Sequence, residues 1–282
     1  MSQYFVYDVF TDAAFGGNQL AVFPNARDIP KDKLQSIAAE FNFSEVTFVY
    51  PPEDPAHTAR VRIFTPTTEV DFAGHPTIGT LIALSDLGQS SPMVLELGIG
   101  PLFCTVSERR AAFTTSQPLK LSSHPSVALV ANALGVTPES IRTTVHDPVV
   151  GSLGLPFVLV ELTTQNSLSA CEVNVAAMRD GFTLHPDSHD FAIFAYVKSG
   201  NQVYSRMFAP LDNIPEDPAT GSASATLAAL LTQLSNTPQN LIFSQGVDMG
   251  RPSKITARTT LNPLAVTIEG QAVKTMSGEF IL

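Results

Sequence analysis

Apolar and polar positions along this chain mostly alternate with the period of a strand. Residues 3–9 and 19–23 read as strands, and Phe15-Gly-Gly-Asn18 between them carries glycines that permit tight backbone approach. Leu34, Ile37, Ala38 and Phe41 recur at helical spacing and predict a helix over 30–41. The next segment, 42–49, is a predicted strand whose one-face row is Phe43, Glu45, Thr47 and Val49. Further strands are expected at 58–64, 93–97, 103–107, 157–162, 191–196, 202–208 and around 241–244, with a hairpin through Glu269-Gly270-Gln271. Helices are expected at 126–134 and 175–180. Two segments break the pattern, because 78–84 and 225–231 are apolar almost all round and should each be buried. The reading is an α+β chain in which a curved, mostly antiparallel sheet or barrel wraps a central apolar helix, and does so twice.

A long-period repeat supports the doubling. Arg62-Ile-Phe-Thr-Pro66 is answered by Arg206-Met-Phe-Ala-Pro210. Each is followed by an aspartate (Asp71, Asp217), a small-residue turn and a helix reading Thr-Leu-x-Ala-Leu (Thr80 to Leu84, Thr226 to Leu230). Upstream, Phe48 and Tyr50 match Phe194 and Tyr196. That alignment sets Glu45 opposite Phe191, a carboxylate opposite a ring, so any chemistry in a shared cleft rests on one acid/base group. Gln117 to Pro125 has linker composition. The division expected is an N-terminal domain at 1–117 and a C-terminal domain at 118–282, whose last strands can pack back on the first, with both turn-helix starts facing one cleft.

Composition narrows the partners. The 282 residues carry 16 basic and 26 acidic side chains, a formal net charge of −10, which opposes phosphate backbones, so no nucleic acid is expected. No apolar run approaches the roughly 18 residues of a membrane span, and the start lacks the features of a signal peptide. Cys104 and Cys171 have no metal-ligand spacing. These readings favour a cytoplasmic protein with neither metal nor membrane partner.

The candidate chemistry gathers at the helix starts. In Glu216-Asp-Pro-Ala-Thr-Gly-Ser222, small residues including Thr220 and Gly221 leave backbone N–H groups uncovered ahead of a helix, which suits a carboxylate; an ordinary capped helix gives the same pattern. Asn18 is either a ligand contact or the stabiliser of its own turn. Glu45 is either a solvated strand end or a general base in a partly dry pocket. His75, immediately before Pro76 in Gly74-His-Pro-Thr, is either a structural hydrogen-bonding group or a catalytic one. Ser222 lies outside any Gly-x-Ser-x-Gly elbow, and no nucleotide-binding glycine pattern is present. His185 and His189 stand four apart, but Pro186 and Asp187 between them rule out a helical metal face.

The blocks Asp8-Val-Phe-Thr-Asp12, Gly17-Asn-Gln-Leu-Ala-Val-Phe23, Phe43-Ser-Glu-Val-Thr-Phe-Val49, Asp71-Phe-Ala-Gly-His-Pro-Thr-Ile-Gly-Thr80, Glu216-Asp-Pro-Ala-Thr-Gly-Ser-Ala223, Ser244-Gln-Gly246 and Met249-Gly-Arg-Pro-Ser253 together resemble the PhzF-like isomerases of phenazine biosynthesis. The resemblance implies a diaminopimelate epimerase-like fold, an active site between two domains, no metal or organic cofactor, and a homodimer. Carried over by motif, Glu45 is the acid/base carboxylate, His75, Asp217 and Ser222 its helpers, and Gly74 a backbone donor. The related two-thiol epimerases place cysteines at the helix starts, which this chain does not. The expectation is a cofactor-independent isomerase acting on a small carboxylate. A lyase or tautomerase on the same scaffold, or a non-catalytic ligand sensor, fits the same residues.

Overall fold

The chain forms two units, residues 1–115 with 267–282 and residues 116–266; the computed structural model describes residues 2–188 and 190–281. In the first unit the alternating segments become β1 (Ser2–Val9), β2 (Asn18–Phe23), β3 (Glu45–Tyr50), β4 (Ala59–Phe64), β5 (Glu69–Val70), β6 (Met93–Leu97), β7 (Gly100–Ser107) and β8 (Arg110–Thr115), with helices α1 (Leu34–Phe41) and α2 (Gly74–Asp86) between them. The second unit contains β9 (Lys120–Leu121), α3 (Val127–Leu134), β10 (Ile141–Arg142), β11 (Val149–Ser152), β12 (Pro156–Leu162), α4 (Gln165–Ser169), α5 (Val175–Leu184), β13 (Ile193–Ser199), β14 (Gln202–Ala209), β15 (Ile214–Asp217), α6 (Gly221–Ser235), β16 (Asn240–Gln245) and β17 (Ser253–Leu261). The last strand, β18 (Leu264–Phe280), returns to pair antiparallel with β1.

In the first unit the strands run β18-β1-β2-β3-β4-β6-β7-β8, and β8 pairs back on β18, so the sheet closes into a barrel. Closure leaves an interior that must be filled. The filler is α2, whose residues Gly74 through Leu84 are all buried. Burying Ile78, Leu81 and Ile82 contributes about 1.5–3 kcal/mol each. Outside the barrel, α1 lays Leu34, Ile37 and Ala38 on an apolar cluster with Val46, Phe48 and Phe64.

The second unit repeats the succession. Strand β12 is parallel to β13, β13 antiparallel to β14, β14 antiparallel to β15 and parallel to β16, and β16 antiparallel to β17. The same order of pairings links β2, β3, β4, β5, β6 and β7 in the first unit. The counterpart of α2 is α6, which packs on β17, β11 and β12. On the other sheet face α3 and α5 cover Val158, Val160, Ile193 and Ala195.

Pairing registers correct the sequence alignment by one residue. Phe64 pairs with Val46, and its counterpart Phe208 pairs with Ile193. Glu45 therefore corresponds to Ala192, and Phe191 does not stand opposite it. The aromatics misled because they lie on opposite sheet faces: Phe48 and Tyr50 belong to the outer cluster under α1, whereas Phe194 and Tyr196 alternate with the residues that meet α3 and α5. The slip continues to the helices. Thr77 Oγ1 donates to the Ala73 carbonyl and Ser224 Oγ to that of Thr220, so Ala73 matches Thr220 and His75 matches Ser222. Asp71 falls at Pro218, and the partner of Asp217 is Val70.

Three further expectations shift. Phe43 precedes β3 and packs with Phe41, ring centroids 5.6 Å apart, so it does not share the Glu45 row. Glu269-Gly270-Gln271 is no hairpin but the middle of β18. Gly270 is there because a Cβ would come within 2.2 Å of the Phe10 ring. The central helices are longer than 78–84 and 225–231, since buried small and hydroxyl residues extend each without an apolar period to announce them. His189 lies outside the described residues. No helix among the described residues is long and apolar enough to cross a membrane.

Candidate functional site

The first constellation is built by the parallel pairing of β2 with β3, which sets Leu20 beside Glu45 and so brings Asn18 and Gln19 next to Ser44 and Glu45. The start of α2 adds His75. Its N-cap, Ala73, is extended and offers no capping side chain, so the first N–H groups have neither an intrahelical partner nor a cap. His75 Nε2 lies 3.3 Å from the Gln19 carbonyl oxygen and donates to it. That assigns the tautomer and leaves Nδ1 as an acceptor. Asn18 Nδ2 donates to Nδ1 at 3.4 Å, and Ser44 Oγ donates to Asn18 Oδ1 at 3.4 Å.

Glu45 Oε2 stands 3.2 Å from the same Nδ1, with the carboxylate side chain 16% exposed and the imidazole 4%. Burial pushes the His75 pKa down to about 3, with the Gln19 contact opposing, so the ring is neutral across the physiological range. A carboxyl group and a neutral imidazole nitrogen at this distance can hold one proton between them. Of the sequence-nominated residues, Asn18, Glu45, Gly74 and His75 are therefore neighbours, and Ser44 joins them.

The second constellation stands at the start of α6 within the other unit. Thr220 Oγ1 donates to Asp217 Oδ2 at 2.5 Å. Gln245 Nε2 donates to the Asp217 carbonyl at 2.7 Å and to Thr220 Oγ1 at 2.9 Å, and its Oε1 accepts the Thr220 N–H at 3.1 Å. Ser253 Oγ donates to the Pro218 carbonyl at 2.6 Å. Gly246 adopts φ +71°, and a Cβ on it would meet the Arg251 and Pro218 carbonyl oxygens at 2.4 and 2.7 Å, so only glycine fits. Asp217, Thr220 and Gly221 are buried and Ser222 half-buried, all within one turn.

Gln245 and Ser253 were missed as site residues. Their only sequence signal is the pair of blocks Ser244-Gln-Gly246 and Met249-Gly-Arg-Pro-Ser253. Cys104 on β7 and Cys171 after α4 are both free, buried and away from the helix starts; burial pushes their thiols up to about 12 and about 11. Among the described residues, no group of three or more His, Cys, Asp or Glu side chains is placed to hold a metal ion. His185 follows α5 and stacks over Phe191, ring centroids 6.1 Å apart. A groove of about 540 Å³ in the first unit is lined by Arg60, Arg62, Glu53, Glu69, His57 and Glu96 among others, and includes neither Glu45 nor His75. Those six side chains are matched in pairs, Arg60 with Glu53, Arg62 with Glu69 and His57 with Glu96.

Comparison with known proteins identifies the family and the fold. An uncharacterized isomerase of Mesorhizobium japonicum is 35% identical over 302 residues, covering 99% of this chain and 98% of that protein. The trans-2,3-dihydro-3-hydroxyanthranilate isomerase of Pseudomonas aeruginosa is 34% identical over 270 residues, covering 92% of this chain and 90% of that protein. The crystal structure of a PhzF-family phenazine biosynthesis protein from Bacillus anthracis has a TM-score of 0.88 at 23% identity, over 100% of this chain and 99% of that one, which establishes the shared fold. The doubled helix-in-sheet architecture and these relatives define the class as an isomerase of diaminopimelate epimerase-like fold. Within it, residues 7–278 match the family described as phenazine biosynthesis-like protein, PhzC-PhzF, and the chain belongs to that family.

Proposed function

We propose that this isomerase moves a proton between two carbons of a small carboxylate-bearing substrate, with Glu45 as the single acid/base group and no cofactor. The observation that carries the reading is the 3.2 Å contact of Glu45 with a buried, neutral His75. Such a pair can take a proton from one carbon and return it to another without creating a second buried charge. His75, held by its contacts with Gln19 and Asn18, orients the carboxyl group. The corresponding position of the second unit, Ala192, has nothing to titrate, which supports one base rather than two.

The uncapped N–H groups at Gly74 and Gly221 are suited to the substrate carboxylate, and Asn18 and Thr220 to its polar substituents. Asp217 and Ser222 are assigned to the same substrate on the motif match. The Pseudomonas aeruginosa relative is named for a cyclic amino-carboxylate, trans-2,3-dihydro-3-hydroxyanthranilate; that compound heads the substrate panel, followed by other cyclic and amino-acid-like carboxylates. The family resemblance adds a homodimer. Incubating the panel in deuterated water should give label uptake with the native enzyme and a loss of about 10²- to 10⁴-fold in Glu45→Gln, at an unchanged thermal midpoint. Uptake that survives this substitution would remove Glu45 from the role.

A further inference from the structure

Gln245 is the last residue of β16, 1% exposed, with its backbone paired to Ser253 and Ser205 in the sheet. Its amide makes three hydrogen bonds to one short turn, to the Asp217 carbonyl, the Thr220 N–H and the Thr220 hydroxyl. The third bond has a directional consequence. A hydroxyl has one proton, and Gln245 Nε2 has none but protons to offer. Because Thr220 Oγ1 accepts from Gln245, its own proton must point elsewhere, and the acceptor within reach is Asp217 Oδ2 at 2.5 Å. The chain Gln245 to Thr220 to Asp217 therefore has one polarity only. Ser253 and Gly246 hold the adjoining backbone, so the turn cannot rotate away from the amide.

We propose that Gln245 is a positioning residue, which aims the Thr220 hydroxyl at Asp217 and so fixes the orientation of that carboxylate for the bound substrate. The positioning follows from the hydrogen bonds alone; its catalytic consequence rests on the reading of Asp217 given above. The matching positions of unit 1 do not repeat the device: Ala73 stands at the Thr220 position, Val70 at Asp217 and Leu97 at Gln245. The relay belongs to the half whose position matching Glu45 is Ala192.

The hydroxyl proton itself gives a substrate-free test by NMR of the full-length labelled protein. The native protein should show a slowly exchanging threonine hydroxyl proton that Thr220→Val removes. In Gln245→Leu that proton should exchange with water at least about tenfold faster, since nothing then fixes its direction. Gln245→Glu, close in shape, should show the same loss at neutral pH and regain protection as the introduced carboxyl takes up a proton and becomes a donor. Exchange unchanged in both variants, or no protected hydroxyl in the native protein, overturns the proposal.

The kinetic arm uses Glu45-dependent label uptake. Gln245→Leu should lower it about tenfold to a hundredfold, as small misplacements of a catalytic group do. Thr220→Val should match it, and the double variant should lose no more than either single one. Losses that multiply would show that Gln245 does not act through Thr220 and would overturn the positioning role. Uptake independent of Glu45 would sink the functional reading while leaving the hydroxyl result to stand, so the two failures are distinguishable.

Discussion

The two halves are built by the same pairings, yet their helix starts carry different equipment. At α2 the strand contributes a carboxyl group and the helix an imidazole, 3.2 Å apart. At α6 the strand position is Ala192, the helix position is Ser222, and the polar groups come from the turn and from β16. The residues packed between the central helices and their sheets differ in the same way. Thr80 donates to Thr47 at 3.0 Å in the first half, where the second has the apolar pair Leu227 and Phe194. One scaffold, used twice, thus retains its pairing geometry while its two helix starts carry different side chains; on the proposed reading, proton transfer falls to the first and positioning to the second.

The comparison breaks most visibly at the repeated arginines. Arg206 and Glu216 form a bidentate pair only 11% and 15% exposed, and Arg206 Nη1 also donates to the carbonyls of Leu168, Ser169 and Cys171. The equivalent pair, Arg62 with Glu69, is 26% and 42% exposed. Removing one partner of a buried pair strands the other charge, so Arg206→Met should cost about 3–5 kcal/mol. Arg62→Met should cost under about 1 kcal/mol. Urea titrations of both variants decide it, and equal losses would show that the two copies are energetically alike.

A smaller effect sharpens the contrast of His75 with Ser222. Unfolded, His75 binds its proton near pH 6.5; folded, only near pH 3. Between those values the unfolded state holds more protons, so this group lowers stability as pH falls below about 6.5, by about 1.4 kcal/mol per unit and about 2 kcal/mol at pH 5. His75→Gln should flatten the acid limb of a plot of stability against pH by that amount. Ser222→Ala, at the matching position, should leave the slope as it was.

Much of this was readable from residue patterns, for identifiable reasons. The repeat showed because Arg62 and Arg206 each lie over the phenylalanine two residues on, at 5.0 and 4.8 Å, and that local geometry needs a fixed spacing. The one-residue slip arose because period-2 alternation does not say which sheet face is the inner one. Glu45 and His75 were nominated from position and type, but their contact depends on a parallel pairing between β2 and β3 that no local pattern encodes. Gln245 stayed hidden because the turn it holds, from Asp217 to Thr220, lies about 25 residues away in sequence, and two of its three bonds go to backbone atoms that carry no side-chain signature. The continuous β18 was read as a hairpin because Gly270 resembles a turn glycine until Phe10 is seen against it.

The central claim is that one carboxyl group both removes and returns the proton. A substrate deuterated at the donor carbon, turned over in ordinary water, tests this most directly. With Glu45 acting alone in a largely buried site, part of that deuterium should reappear at the acceptor carbon of the product. Complete washout under single-turnover conditions, with the acceptor carbon carrying only solvent hydrogen, would point to a second base and contradict the account.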